Sequence, residues 1–289
     1  MAFDFGSTWC SGARVVGPKV RLLKLPGGQD TLPSVVSFGK DGKVMLGSAA
    51  LKKLATDPGV TIPSPQLTLG RQHNDPEMQP YLASLQVPTQ AGDQGEIAFQ
   101  INGKQVSAVE TCAHILNLLR LIAVQATGQE VTWAVLTTPV TFQTQQFDAL
   151  TEVANMAGLS SFEVIDGASA TALAYQDDPD YGGIVGVYDL GGSSFTFSVV
   201  DVASADVQVV ATASDPAIGG SSIDLALASA AADDFGRQHQ IDLRTRALQW
   251  KRLVQTAEQA KRQLSSNAET TIAMRGVALA PSGALDLEY

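Results

Sequence analysis

The chain has 289 residues, of which 45% are apolar and 17% charged, with 26 glycines, 13 prolines and a formal net charge of −10. That length and apolar fraction suit one large or two medium domains with sizeable cores, whereas the acidic balance and the lack of a basic run exclude nucleic acid and anionic membrane surfaces as partners. Cys10 and Cys112 are too few and too far apart for a disulfide framework or metal site; they read as buried free thiols, and with no leader or 18-residue apolar run the expected setting is soluble and cytoplasmic.

Ala2-Phe3-Asp4-Phe5-Gly6-Ser7-Thr8-Trp9 predicts a strand carrying an Asp, then a turn of one glycine and two hydroxyls. Val15 and residues 20–25 supply further short strands. Between residues 38 and 105 Gly, Pro, Asp and Gln rise, as in Asp57-Pro58-Gly59 and Pro63-Ser64-Pro65, which predicts a loop-rich inserted subdomain. Within it, residues 96–101 alternate and end on Asn102-Gly103, the signature of a hairpin with a type I′ turn. Ser107-Ala108-Val109-Glu110 is a capping box, and the spacing of Ile115, Leu118, Leu119, Ile122 and Ala123 predicts a helix stopped by Gly128. A buried strand at 133–137, a helix at 144–156 closed by Gly158, a strand at 162–165 and a helix at 168–176 follow. Such alternation implies a sheet covered on both faces.

The turn-rich run Asp177-Asp178-Pro179-Asp180-Tyr181-Gly182-Gly183 links to the second half. Residues 185–201 read as strand, tight turn and strand: an apolar run reaches Asp189, passes Gly191-Gly192-Ser193-Ser194 and returns with alternating apolar residues. Paired glycines let a backbone approach a ligand closely, and successive N–H groups in such a turn form a concave anion site. An Asp at the strand end can face the cation that accompanies a phosphate, through water when the cation is Mg2+. The same Asp-glycine-hydroxyl design at the N-terminus points to a cleft with one turn gripping each side of a nucleotide's phosphates. A strand at 207–213 precedes Gly219-Gly220, with Ser221 and Ser222 capping a helix at 223–235. A long amphipathic helix is expected at 244–264 and a strand at 270–274.

Taken in order, Asp4-Phe5-Gly6-Ser7-Thr8, Leu32-Pro33-Ser34-Val35-Val36-Ser37-Phe38, Leu69-Gly70-Arg71, Ala134-Val135-Leu136-Thr137-Thr138-Pro139 and the hairpin at 185–201 resemble the nucleotide-binding domain of the Hsp70 chaperones. Ile218-Gly219-Gly220 and Ala257-Glu258-Gln259-Ala260-Lys261-Arg262-Gln263-Leu264-Ser265-Ser266 continue the resemblance. It implies an α/β actin-like ATPase (ribonuclease H-like) fold with two lobes around a nucleotide cleft. Lobe I is expected at 1–182, with its core at 1–37 and 106–182 and the inserted subdomain at 38–105. Lobe II is expected at 183–289, with its core at 183–220 and the start of an upper subdomain at 221–289. The second lobe is incomplete against the family pattern, so the expectation is a fragment of a longer chain with a peptide-binding domain, or a partner that completes the open sheet.

By the same resemblance, Asp4 and Asp189 hold Mg2+ through waters. Gly6, Ser7, Thr8 and Trp9 with Gly191, Gly192, Ser193 and Ser194 cradle the phosphates, Gly219 and Gly220 approach them, and Glu258, Lys261, Arg262 and Ser265 face the adenosine. Positions 258, 261, 262 and 265 fall at i, i+3, i+4 and i+7 on one helical face, and an Arg guanidinium can stack on a base. Three departures stand out. Gln66 occupies the position of a lysine that reaches the γ-phosphate, Gly167 that of a glutamate positioning metal and water, and Thr196 that of an acidic residue. Phe147 replaces an arginine that relays nucleotide state.

The resulting expectation is a protein that binds ATP or ADP with Mg2+ and hydrolyses slowly or not at all, with no catalytic residue assigned. Its role is that of a chaperone or regulatory scaffold whose partners are nucleotide and a co-chaperone or client. An active Hsp70-type ATPase, a small-molecule kinase of the same fold and a partner-bound structural protein with an empty cleft stay open as alternatives. His73, His114 and His239 show no metal-ligand spacing, and neither a nucleophile elbow nor a Walker loop is present.

Overall fold

A computed structural model describes every residue except 26, 177, 179, 180, 204–206 and 282, so the expected link at 177–183 lies partly outside the described residues. By packing, the chain forms two units: Met1–Asp189 with Phe197–Ser214, and Leu190–Thr196 with Asp215–Tyr289.

In the first unit, β1 (Ala2–Phe5) alternates so that Phe3 and Phe5 point inward. It pairs antiparallel with β2 (Trp9–Val16), which pairs with β3 (Lys19–Leu22) and β4 (Thr31–Pro33). The inserted region holds more regular structure than its loop-rich composition suggested. Its β6 (Val44–Leu46) and, beyond α1 (Gly47–Thr56), β7 (Thr61–Pro63) flank β5 (Val35–Phe38), the strand that leads into it. After α2 (Gln79–Ser84) comes a second small sheet of β8 (Thr89–Ala91), β9 (Ile97–Ile101) and β10 (Lys104–Ser107). Asn102 and Gly103 join its last two strands with φ of 52° and 78°, both left-handed as a type I′ turn requires.

Ser107 then caps α3 (Ala108–Thr127), its hydroxyl accepting from the Glu110 N–H at 3.0 Å, and Gly128 ends the helix in the left-handed region. The helix returns the chain to β11 (Trp133–Thr138), parallel to β1, and α4 (Thr144–Met156) carries it to β12 (Ser161–Asp166), parallel to β11. The strand order is therefore β12-β11-β1-β2-β3. The face bearing Phe3 and Leu136 forms one core with Ile115, Leu116 and Leu119 of α3 and Leu150 and Val153 of α4. α3 has the length and apolarity of a membrane span, but half of it is buried and its apolar side belongs to this core.

The opposite face differs from the expectation of a doubly covered sheet and a buried strand at 133–137. Val15 (73% exposed), Val20 (71%), Leu22 (52%) and Trp133 (43%) stay open to solvent, because both crossover helices pack on the Phe3 side. After α5 (Gly167–Ala174), β13 (Ile184–Leu190), β14 (Phe195–Asp201) and β15 (Gln208–Asp215) form one sheet in that order, and Ala168 and Ala172 of α5 pack with Val187 and Val200.

The second unit packs α6 (Gly220–His239) against α7 (Ala247–Gln263), with the hairpin of β16 (Ala273–Ala280) and β17 (Gly283–Glu288) beside them. Ala228, Ala231 and Ala232 face Leu253, Ala257 and Ala260, small side chains that let two helices approach closely. Three expectations are corrected here. α6 begins at Gly220 rather than 223, because Gly219 is the cap and the Ser222 hydroxyl accepts from its N–H at 3.1 Å. The expected helix at 244–264 starts at Ala247, because the Asp242 carboxylate accepts from the Arg244 N–H at 2.9 Å and turns residues 243–245 into a 3-10 turn. The strand expected at 270–274 begins at Ala273 and is the first arm of a hairpin.

Candidate nucleotide site

In the first unit, Asp4 and Asp189 occupy the same place in their strands, next to last in β1 and in β13. The Asp4 carboxylate accepts from the Thr137 hydroxyl at 2.7 Å, and that hydroxyl accepts in turn from the Phe5 N–H at 3.2 Å. Partial burial, and then the Asp4 charge, raise Asp189 above the ordinary carboxylate range. Two carboxylates that repel one another call for a cation. Among the described residues no cluster of three or more His, Cys, Asp or Glu could hold a metal directly, but a pair suffices for a cation that keeps its own waters. Thr137 was not singled out from the sequence. The parallel register of β1 with β11, Ala2 opposite Val135 and Phe3 opposite Leu136, places it beside Asp4.

Gly167 opens α5 next to this pair. A Cβ built on it would lie 4.0 Å from the Asp189 carboxylate, so a longer side chain there would reach the same spot. Asp166 caps the helix, its carboxylate accepting from the Ser169 N–H at 2.8 Å and the Ser169 hydroxyl at 2.6 Å.

The turn of Gly6, Ser7, Thr8 and Trp9 rests on a buried polar cluster that sequence reading did not assemble. The Ser34 hydroxyl donates to the Gly6 carbonyl at 2.7 Å, and the Ser34 N–H donates to the Thr8 carbonyl at 2.9 Å. Cys10 Sγ lies 3.2 Å from Ser34 Oγ and accepts from the Gln66 amide at 3.3 Å. Burial pushes the Cys10 thiol up to about 12, against the opposing pull of its Ser34 hydrogen bond. Gln66 is 7% exposed, so it lies beneath the turn. Thr8 Oγ1 and Gln66 Oε1 are buried without a hydrogen-bond partner among the described residues; the Thr8 hydroxyl can donate to a phosphate oxygen, whereas the Gln66 carbonyl oxygen can only accept, as from a water. The one signal for this cluster was a serine inside the apolar run Leu32-Pro33-Ser34-Val35-Val36.

Other positions are structural. Lys53 pairs with Asp57 at 2.7 Å on the exposed side of α1, and Phe147 packs edge-on to Phe142 with ring centroids 5.6 Å apart. Thr196 lies in β14. The His73 ring is 3.3 Å from Thr89 Oγ1, while His114 meets Phe38 edge-on and His239 lies tilted against Phe235.

In the second unit the turn at Gly191, Gly192, Ser193 and Ser194 closes with the Gly191 N–H donating to the Ser194 carbonyl at 2.9 Å. It is joined to the start of α6: the Gly220 N–H donates to the Gly191 carbonyl at 2.9 Å and the Ser221 N–H to the Gly192 carbonyl at 2.8 Å. Gly219 is required by this approach, since a Cβ on it would stand 2.8 Å from Gly192 O and from Ser194 N. On α7, Glu258 is raised, first by burial and then by Asp224, against the opposing charges of Arg262 and Lys261. Lys261 Nζ donates to the Gly220 carbonyl at 2.8 Å and lies 2.7 Å from Asp224 Oδ1. Ser265 falls in the turn after α7 rather than on the helix, its N–H donating to the Arg262 carbonyl.

Elsewhere in this unit an open groove of about 430 Å3 runs past Asp233, Arg237, Asp242 and Arg244. Arg244 is paired with Asp233 and Asp242 at 2.6 and 2.9 Å, so its charges are already satisfied.

Asp215 ends β15 just ahead of the Gly219-Gly220 turn, its carboxylate accepting from the Ala217 N–H at 2.8 Å, an Asp at a strand end before a glycine pair as at Asp189.

A family model described as Hsp70 protein matches residues 1–289, the whole of the chain. The actin-like ATPase fold goes with that family, and the mixed sheet with crossover helices described above agrees with it. A nucleotide-binding chaperone-type protein follows at that level, and the chain belongs to the Hsp70 family.

Proposed function

We propose that this Hsp70-type protein binds ATP or ADP with Mg2+ and hydrolyses ATP slowly or not at all, serving as a nucleotide-dependent chaperone component or scaffold. The proposed ligand set is Asp4 and Asp189 for the hydrated cation, the turns at 6–9, 191–194 and 219–220 for the phosphates, and Glu258, Lys261, Arg262 and Ser265 for the nucleoside. One observation carries the reading of slow turnover. Gln66 is buried under the turn with its amide bonded to Cys10 Sγ, a neutral group where phosphoryl transfer gains from a cation. Gly167 adds to it by presenting no side chain toward Asp189. Loss of one such group costs about 10²- to 10⁴-fold in rate, while ground-state binding rests on backbone amides and the carboxylate pair and survives. A reducing, cytoplasmic setting suits two buried free thiols.

An active ATPase is the second reading. Asp215 favours it, because a strand-end carboxylate can take a proton from water. Calorimetric titration of ATP and ADP with and without Mg2+, beside single-turnover hydrolysis, separates the two. Binding with turnover near background supports the first, and robust turnover abolished by Asp215→Asn supports the second.

A further inference from the structure

Lys261 sits in the last turn of α7, the helix end that favours a cation, and Asp224 lies in the second turn of α6. The pair is largely shielded, with side-chain exposures of 26% for Lys261 and 9% for Asp224. The same ammonium donates to the Gly220 carbonyl, and the Gly220 and Ser221 N–H groups bond the Gly191 and Gly192 carbonyls. One continuous set of contacts therefore runs from α7 through Lys261 to both glycine turns.

We propose that Lys261 is a positioning residue for the phosphate turns, a clasp held by Asp224 that fixes the Gly219-Gly220 turn against Gly191-Gly192. The proposal rests on the nucleotide-binding reading for its ligand and changes the role of this lysine within it. The ammonium gives one proton to the Gly220 carbonyl, while the Asp224 carboxylate stands 2.7 Å away as its counter-ion. Recognition on the α7 side and the geometry of the anion-binding amides then form one device, and a nucleotide's phosphates feel a change at Lys261 more than its adenosine does.

The test uses the full chain. Lys261→Met alone strands a buried carboxylate, which is strongly destabilising, so the decisive variant is the charge-neutral pair Asp224→Asn with Lys261→Met, checked for folding by its melting curve. Without ligand, amide exchange at Gly220 and Ser221 is expected to speed up by ~10-fold or more. ADP affinity is expected to fall by ~10-fold or more and adenosine affinity by less, about three-fold at most. Unchanged exchange, or adenosine weakened as much as ADP, overturns the clasp. Should the parent bind no ADP, the nucleotide reading fails, and the exchange rates alone still decide whether the clasp exists.

Discussion

Asp189 titrates above the ordinary carboxylate range, first through partial burial and then through the charge of Asp4, its neighbour in the same unit. Folding is therefore favoured most where Asp189 is protonated, and that contribution is lost as pH rises through the raised value. At neutral pH the charged pair works against the fold until a cation arrives. Asp189→Asn is expected to raise the melting temperature by ~1–3 °C at pH 7, with the gain vanishing below about pH 4, where wild-type Asp189 is protonated in both states. Mg2+ should stabilise the parent and leave the variant unmoved. Calorimetry across pH 3.5–7.5 checks both halves, and a variant less stable at pH 7 would contradict the pairing.

Slow hydrolysis has a constructive test. Gln66→Lys combined with Gly167→Glu supplies a cation near the turn and a carboxylate beside Asp189, where the Cβ has ordinary van der Waals room. The pair is expected to raise single-turnover ATP hydrolysis by ~10²-fold or more, each change alone by less, since such groups act together. The double variant should also melt earlier, because position 66 is 7% exposed and a lysine there is desolvated. Hydrolysis that stays at the parental rate in a folded double variant would show that these positions are not what limits it.

Gly70→Ala is expected to cost about 2–5 kcal/mol, a left-handed residue penalty added to overpacking. Gly70 has φ of +65°, and a Cβ on it would lie 2.5 Å from the Gln145 carbonyl oxygen and 2.7 Å from Gln146 Cα, all backbone that cannot swing aside. Urea unfolding measures the loss. A cost under ~1 kcal/mol would mean that α4 does not press on this turn as described.

Cys10 should be inert in the folded chain. With burial holding the thiol at about 12, roughly one molecule in 10⁴ carries a thiolate at pH 8. Cys112 is raised as well, by burial and then by Cys10. A thiol-specific chromogenic reagent at pH 8 is expected to label neither residue in native protein and both in urea. Rapid labelling of Cys10 in native protein would mean that the cluster under the Gly6–Trp9 turn opens readily.

Local chemistry made much of the fold legible. Residues 144–156 read as a helix and form one, Asn102-Gly103 makes the turn its φ preference demands, and Ser107 caps as its sequence says. The hairpin after residue 273 was read only as one short strand, because Ala273, Ala278 and Ala280 are weak strand formers and the register breaks between Met274 and Ala278. The start of α6 was misplaced for a different reason. Its cap is a glycine backbone, and the serines that looked like caps lie inside the helix. At the candidate site, Asp4 and Asp189 could be picked out because each stands near a strand end beside a glycine turn. The support beneath that turn could not, since Ser34 and Gln66 meet Cys10 across 24 and 56 residues of chain. Contacts of that kind are made by tertiary packing and leave no periodic trace.

The chain passes from one unit to the other between residues 189 and 190, again between 196 and 197, and a third time between 214 and 215. Neither unit is a continuous stretch, so no single proteolytic nick releases one of them. An excised piece ending at Asp189 would carry β13 without β14 and β15, its natural neighbours in the sheet. The hairpin that holds Asp189 on its first arm and Gly191 in its bend is thus shared along the chain by both units, and a cut within it severs each of them.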